Sequence, residues 1–137
     1  MSWLAVEKAL IRSVNDLALG LPIVQENDTT ERKSNAGSAE IWLEVFNLPA
    51  DTFPLDKNLT DQFNGIFQIS IYGKQNKGKN AILTTLDTLI NAYKTGQQYT
   101  VDTCTVEIDS ASPEPAREDG SYFIIDLSIT WFAYIDR

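Results

Sequence analysis

The sequence contains no histidine and only one cysteine. Histidine is the most common general base and metal ligand in enzymes, so its absence argues against most hydrolase mechanisms and most zinc sites. Cys104 has no second cysteine to pair with and no histidine to activate its thiol. We therefore expect Cys104 to be a small buried residue, and we expect no catalytic residue, no metal site and no cofactor.

Long hydrophobic stretches are also missing from the chain. No apolar run approaches the roughly 20 residues that a membrane-spanning helix needs. The opening residues, Met-Ser-Trp-Leu, have neither the basic start nor the apolar run of a signal peptide. These absences predict a protein of the cytoplasm that does not enter a membrane.

Basic residues are scarce relative to acidic ones. The 137 residues include 11 Lys and Arg against 19 Asp and Glu, which gives a formal net charge of −8. Binding to nucleic acid or to an anionic membrane rewards basic patches, so this balance predicts neither. A hydrophobic content of 43%, with three Trp, five Tyr and six Phe, is sufficient for a packed core. The length predicts one domain that covers residues 1–137.

Two segments have the apolar spacing of amphipathic helices. The first extends from Ser2, which can act as the N-cap, to about Leu19, and a Gly and a Pro follow it. The second extends from Asn80 to Lys94. Its apolar face, which we expect to lie on a sheet, consists of Ile82, Leu86, Leu89, Ile90 and Tyr93.

Alternation of apolar and polar residues predicts the strands. A short strand at Pro22–Glu26 precedes strands over Ala39–Leu48, Asn64–Tyr72, Tyr99–Ser110 and Ser121–Ile135. The last two should form an antiparallel hairpin, and the element order is αβββαββ. The expected fold class is α+β: an antiparallel or mixed β-sheet of four to five strands with two helices packed on one face. The other face should be open to water or to neighbouring subunits.

One motif resembles a phosphate-binding P-loop. Gly73, Gly78 and Lys79 have the required spacing and lie between a predicted strand and a predicted helix. A P-loop has Ser or Thr after the Lys to bind Mg²⁺, whereas this chain has Asn80. Nucleotide binding is therefore an alternative function. The simpler interpretation is a strand-to-helix turn in which Asn80 or Asn76 caps the helix.

The carboxylate that would complete a nucleotide site is Asp126. It ends a run, Tyr122–Asp126, that resembles the Walker B strand of P-loop proteins. Ser128 and Thr130 follow it at alternating positions, which is typical of a solvated strand face more than of a metal site. P-loop domains also need a mostly parallel sheet of five or more strands, and only two predicted strands follow the motif.

Several aromatic residues lie on the predicted strands. Aromatic side chains are enriched at subunit interfaces, although core packing explains each one equally well. The candidate interface residues are Trp42, Phe46, Tyr72, Trp131 and Tyr134. Between the first two strands, Asn27–Ser38 is a polar loop without periodicity, and such loops often become ordered by a partner.

Four stretches of the chain follow one another as in a known family. They are Pro22–Asn27 after the first helix, the strand Ile41–Phe46, Asn64–Tyr72 leading through Gly78 into the Ala81–Leu89 helix, and the aromatic strand Tyr122–Tyr134. Together they resemble the tail terminator and tail-completion proteins of long-tailed bacteriophages.

The resemblance implies a structural protein of the virion and not an enzyme. It implies a homohexameric ring that ends the tail tube, stops tube polymerisation and provides a surface for the head. Its partners would be its own copies, the tail tube protein and the head–tail connector protein, with assembly in the host cytoplasm before residence in the virion tail. A neck or tube component of the same virion, or an adaptor for one foreign protein, is the alternative.

The same resemblance gives the polar loop a role. We expect it to order against the tube or the next subunit, and its candidate residues are Asp28, Glu31, Arg32 and Lys33. An acidic ring would also suit a conduit for DNA, because it would not retain the polyanion that passes through it.

Overall fold

The computed structural model describes residues 3–17, 23–25, 41–49, 53–54, 60–74, 80–101, 104–120 and 122–136. Within these ranges there are two helices, α1 (Trp3–Asn15) and α2 (Asn80–Ala92). The strands are β1 (Ile23–Gln25), β2 (Ile41–Pro49), β3 (Phe53–Pro54), β4 (Thr60–Lys74), β5 (Gln98–Val101), β6 (Cys104–Pro113), β7 (Arg117–Asp119) and β8 (Tyr122–Asp136). This confirms the α+β class. No helix in the ranges above is long and apolar enough to cross a membrane.

The described strands form one mixed sheet. Its main path contains six strands in the order β1-β2-β4-β8-β6-β5, with β3 paired to β4 and β7 paired to β8. Strands β1 and β2 run parallel, and the other pairs are antiparallel. The prediction of four to five strands in the order αβββαββ was therefore close but wrong in its count.

The miscount has a local cause. The single strand predicted over Tyr99–Ser110 is a hairpin, because Val101 pairs with Cys104 and the chain must reverse between them. Two short strands also lie between the predicted ones, β3 before β4 and β7 between β6 and β8. The antiparallel hairpin of the last two predicted strands is confirmed, and Gly120 has a φ of 61° at the β7–β8 turn.

Strands β4 and β8 form the longest pairing of the sheet. All 15 residues of each strand are in register, from Thr60 opposite Asp136 to Lys74 opposite Tyr122. Because side chains alternate across a strand, this register decides which residues of both central strands face the helices. We call the side that faces the helices the inner face and the opposite side the outer face.

Both helices pack on the inner face, as predicted. The α2 side chains that were expected to lie on the sheet are buried there or packed against the core. Together with α1 they enclose one large apolar cluster with β2, β4, β5, β6 and β8. Its fully buried larger members include Leu10, Leu43, Phe67, Ile69, Ile71, Leu89, Tyr93, Ile108, Leu127 and Trp131.

A buried pair of hydroxyl groups joins α1 to the end of α2. The Ser13 Oγ lies 2.6 Å from the Tyr93 Oη and also donates a 2.6 Å hydrogen bond to the Leu10 carbonyl. Since a hydroxyl has one proton, Tyr93 must be the donor to Ser13. Burial raises the pKa of Tyr93 well above its usual value near 10. The phenol is therefore held neutral as a hydrogen-bond donor inside the core.

Trp131 lies across Gly65, its partner in the β4–β8 register. A Cβ at position 65 would lie 2.6 Å from the Trp131 Cζ2 and 3.0 Å from the Leu48 carbonyl oxygen. The indole Nε1 donates a hydrogen bond to the Asn47 Oδ1 at 3.2 Å, which satisfies both buried groups. The glycine is thus required by the space that the indole occupies.

We predict that Gly65→Ala lowers the free energy of unfolding by about 1–3 kcal/mol, because the indole or the backbone must move. Thermal unfolding with Glu114→Ala, at an exposed position between β6 and β7, as the control should show little change for the control. A Gly65→Ala protein with the same melting temperature as the unmodified chain would show that the close contact between position 65 and Trp131 is absent.

We predict that stability falls as the pH rises above about 10, by up to about 1.4 kcal/mol per pH unit for Tyr93. Stability falls with rising pH because the Tyr93 phenol releases its proton near pH 10 in the unfolded chain, whereas the folded chain keeps it. Tyr93→Phe should be less stable at neutral pH, through loss of the Ser13 hydrogen bond, but should decline less steeply in alkali. Denaturant titrations from pH 8 to 11 test this, with Tyr134→Phe as the exposed control; equal slopes for Tyr93→Phe and the unmodified chain would contradict it.

Candidate functional site

The outer face of the sheet is the candidate functional surface. Both helices lie on the other side, and the alternation of the central strands points one set of polar side chains outward. In its middle, Ser110 and Thr130 share a 2.6 Å hydrogen bond across β6 and β8. The polar residues of this face include Gln62, Asn64, Gln68, Ser70, Thr105, Glu107, Ser110, Ser112, Asp126, Ser128 and Thr130.

Aromatic side chains occupy one end of the outer face. Trp42 and Tyr72 are opposite each other on β2 and β4 and stack with ring centroids 5.1 Å apart at 19°. Tyr122 meets Trp42 edge-on at 5.1 Å and 88°, and Ile124 is buried beside them. Such pairs each contribute roughly 0.5–1.5 kcal/mol beyond their buried area. The cluster is therefore a second, smaller core on the face away from the helices.

A row of polar groups crosses the sheet next to the aromatic cluster. Glu44, Ser70 and Asp126 are direct cross-strand neighbours on β2, β4 and β8. The Trp42 Nε1 donates to the Glu44 Oε2 at 3.2 Å, and the Ser70 Oγ donates to the Asp126 Oδ1 at 2.5 Å. These bonds satisfy groups that burial would otherwise penalise.

Arg117 completes this row from β7. Its Nε donates to the Asp126 Oδ2 at 3.1 Å, and this hydrogen bond raises the pKa of the Arg117 guanidinium. The Asp126 side chain is only 14% exposed, so its environment differs from the solvated strand face that the sequence suggested. Both of its oxygens are engaged within the protein, one by a hydroxyl and one by a guanidinium.

This arrangement does not support the nucleotide-site alternative. The candidate carboxylate, Asp126, is held by Ser70 and Arg117, and β4, the strand before the Gly–Lys motif, has antiparallel neighbours on both sides. A P-loop domain instead uses a mostly parallel sheet. Gly78 and Lys79 lie outside the described residues, while Asn80 begins α2. Across the ranges that the structure describes, no three His, Cys, Asp or Glu residues form a metal-binding group.

Cys104 is fully buried in the main core, as expected. Burial raises the pKa of its thiol, which disfavours the nucleophilic thiolate. The residue therefore has the environment of a packing residue.

The other end of the outer face carries exposed apolar residues. Leu48 and Ile66 are direct partners on β2 and β4, with 51% and 38% of their surfaces exposed. Further along, Phe132 and Tyr134 on β8 contact each other with ring centroids 5.4 Å apart. Shallow concavities of about 370 and 470 Å³ flank these two rings. Adjacent exposed apolar groups of this kind favour contact with another macromolecule.

The five aromatic residues predicted for a subunit interface are placed differently from one another. Trp42 and Tyr72 are buried in the outer-face cluster, and Trp131 is buried in the main core. Phe46 is half-buried on the outer face, and Tyr134 is 53% exposed. The interface assignment itself stays a prediction. The loop candidates Asp28, Glu31, Arg32 and Lys33 lie outside the described residues.

Leu48 and Ile66 were not among the interface residues predicted from the sequence. Their signal is positional: each is an apolar residue at a strand position whose alternating neighbours, such as Glu44 and Gln68, belong to the outer face. Only the pairing of β2 with β4 brings the two side chains together. The contact between two such exposed residues therefore cannot be predicted until the strand register is known.

The fold is shared with other known structures. Seven chains of solved structures match it. One of them, a protein known by a sequence identifier alone, aligns with 100% of this chain and 96% of its own length, at a TM-score of 0.72 and 16% identity. At that identity the likeness concerns the fold only. None of the curated proteins matches this chain.

Most of the sequence also matches a family model. The model describes the phage tail terminator protein and covers residues 5–131, from within α1 into β8. This match includes both helices and the central strands that form the two faces described above. This chain therefore belongs to the phage tail terminator protein family, a family of structural proteins of the phage tail.

Proposed function

We propose that this protein assembles into a homohexameric ring at the end of the tail tube, stops tube polymerisation and provides the surface to which the head joins. The family match over residues 5–131 is the observation that carries this proposal. A terminator must bind the last tube subunits and offer a different surface beyond them. The proposed partners are therefore further copies of this chain, the tail tube protein and the head–tail connector protein.

The chemistry of the outer face supports a role in assembly. Its central carboxylate, Asp126, is bound to Arg117, while Leu48, Ile66 and Tyr134 remain exposed. Such a surface offers lasting contacts and no activated nucleophile or base. The net charge of −8 per chain also suits a ring through which DNA passes, because the wall would repel the phosphate backbone.

Membership of the family supports a location in the virion tail. A tail protein resides in the virion tail. We propose that the subunits accumulate in the host cytoplasm and assemble on the tube when it is complete. The polar segment with Asp28, Glu31, Arg32 and Lys33 is proposed to contact the tube or the next subunit.

Light scattering over a concentration series should show a closed species of six chains, alone or when the tail tube protein is added, because the ring is built from repeated contacts. Added Mg-ATP should leave both the mass and the melting temperature unchanged. Electron microscopy should show that the protein shortens tubes grown from the purified tube protein. Tubes of unchanged length would overturn the terminator role, and a nucleotide-dependent melting shift would restore the P-loop alternative.

Neutralising the four loop residues, by Asp28→Asn, Glu31→Gln, Arg32→Gln and Lys33→Gln, should weaken binding to the tube while sparing thermal stability. The expected reason is that these charges act between proteins. Co-sedimentation with preformed tubes measures the effect, with Asp87→Asn on the exposed side of α2 as the control. Unchanged sedimentation would remove the loop from the proposed contact.

A further inference from the structure

A ring of identical subunits needs two different surfaces on each chain, one complementary to the other. This requirement is demanding for the present protein, because copies that each carry a net charge of −8 repel one another. A contact between copies must therefore place scarce cations against acids. Four basic side chains are described, on Lys8, Arg12, Lys94 and Arg117, and Arg117 is already bound to Asp126.

Two of these four cations lie together on α1. Lys8 and Arg12 are exposed on the side of the helix that faces away from the core, one turn apart. Neither has an ion-pair partner within the part of the chain that the structure describes. Leu4, which is 61% exposed, lies one helical turn before Lys8, and Ile11 lies between Lys8 and Arg12 in the sequence. A shallow groove of about 390 Å³ runs along this side. We call this the helix surface; its residues are Leu4, Glu7, Lys8, Ile11, Arg12 and Asn15.

Acidic side chains, opposite in charge to Lys8 and Arg12, lie at the apolar end of the outer face. Glu107 and Asp109 on β6 line the two concavities that flank Phe132 and Tyr134. The register shift between Ile108 and Ser110 is a bulge, and Asp109 is its unpaired residue and is exposed. No cation lines either concavity among the described residues. We call this the strip; its residues are Ile66, Glu107, Asp109, Phe132 and Tyr134.

The two surfaces carry pairs of opposite charge, Lys8 and Arg12 beside one acid, Glu7, on the helix surface, and Glu107 and Asp109 on the strip. Residues four apart on a helix have Cβ atoms about 5–6 Å apart, which applies to Lys8 and Arg12. Glu107 and Asp109 lie on either side of Ile108, and the bulge places Asp109 at the concavity beside the one that Glu107 lines. Each pair of charges is bordered by an exposed apolar side chain, Leu4 on the helix surface and Tyr134 on the strip, and Ile11 on the helix surface is half-buried. A contact could therefore pair both charges and bury apolar area together.

We infer that the helix surface of one copy docks on the strip of the next copy, with Lys8 and Arg12 against Glu107 and Asp109. The contact is head-to-tail, since the two surfaces lie on opposite sides of the sheet, and a repeated contact of this kind forms a ring when the rotation from one copy to the next closes. The inference rests on the proposed ring and adds to it the surfaces and residues that join the subunits.

Charge reversal tests the pairing. One variant carries Lys8→Glu and Arg12→Glu, and a second carries Glu107→Lys and Asp109→Lys. Each alone places like charges across every contact, so we expect self-association to weaken by about tenfold or more in apparent dissociation constant, measured by sedimentation or light scattering. The variant with all four changes should regain assembly.

Mixing the two reversed variants gives a second readout. The acidic helix surface of the first variant faces the basic strip of the second. The basic helix surface of the second variant faces the acidic strip of the first, so every contact in an alternating ring pairs opposite charges. An equimolar mixture should therefore form rings in which the two chains alternate, while each chain alone stays dissociated. Thermal melts confirm that each variant is folded. Lys94→Glu with Glu114→Lys, at exposed positions outside both surfaces, is the matched control and should assemble like the unmodified chain.

The outcomes separate this inference from the proposed function. If the unmodified chain forms rings and both reversed variants form them equally well, the docking surfaces are wrong and the ring stands. Folded variants that lose assembly and are restored neither by mixing nor by the fourfold change would also overturn the pairing. An unmodified chain that never self-associates, with or without the tube protein, would overturn both.

Discussion

The pairing of β4 with β8 is the constraint on which the rest of the structure depends. Fifteen residues of each strand are in one unbroken register, and β2, β3, β6 and β7 attach to one or the other of them. A slip of one residue would move every apolar side chain of these strands to the wrong face. The contact of Gly65 with Trp131 helps to fix the register, because only a glycine leaves room for the indole.

The β4–β8 register creates two faces of the sheet, one buried beneath the helices and one partly exposed. The inner face buries a continuous apolar cluster beneath both helices, which supplies most of the stabilising free energy. The outer face divides into an aromatic cluster with its polar row at one end and an exposed apolar region at the other. Burial of the Trp42 ring stabilises the subunit, the bonds from Ser70 and Arg117 offset the cost of burying most of Asp126, and the surface left exposed is what a neighbour can bind.

A solved structure with only 16% sequence identity has the same fold, because the fold is specified more by the alternation of apolar and polar residues in strands and by helical apolar spacing than by particular residues. This also explains which expectations succeeded. The apolar stripe of α2 was predicted correctly, since helical periodicity alone identifies a buried face. The strand count was wrong at Tyr99–Ser110, because a tight reversal can interrupt an alternating pattern without a Gly or Pro to mark it.

The sequence by itself determined the two helices, the alternating central strands, the burial of Cys104 and the resemblance to phage tail terminators. These depend on local spacing and composition, which short-range sterics and hydrophobicity translate directly into structure. Only the tertiary structure decided that Trp131 is buried, that Asp126 is bound by Ser70 and Arg117, and that Leu48 meets Ile66. Such facts depend on strand order and register, which bring residues far apart in sequence into contact and cannot be read from neighbours along the chain.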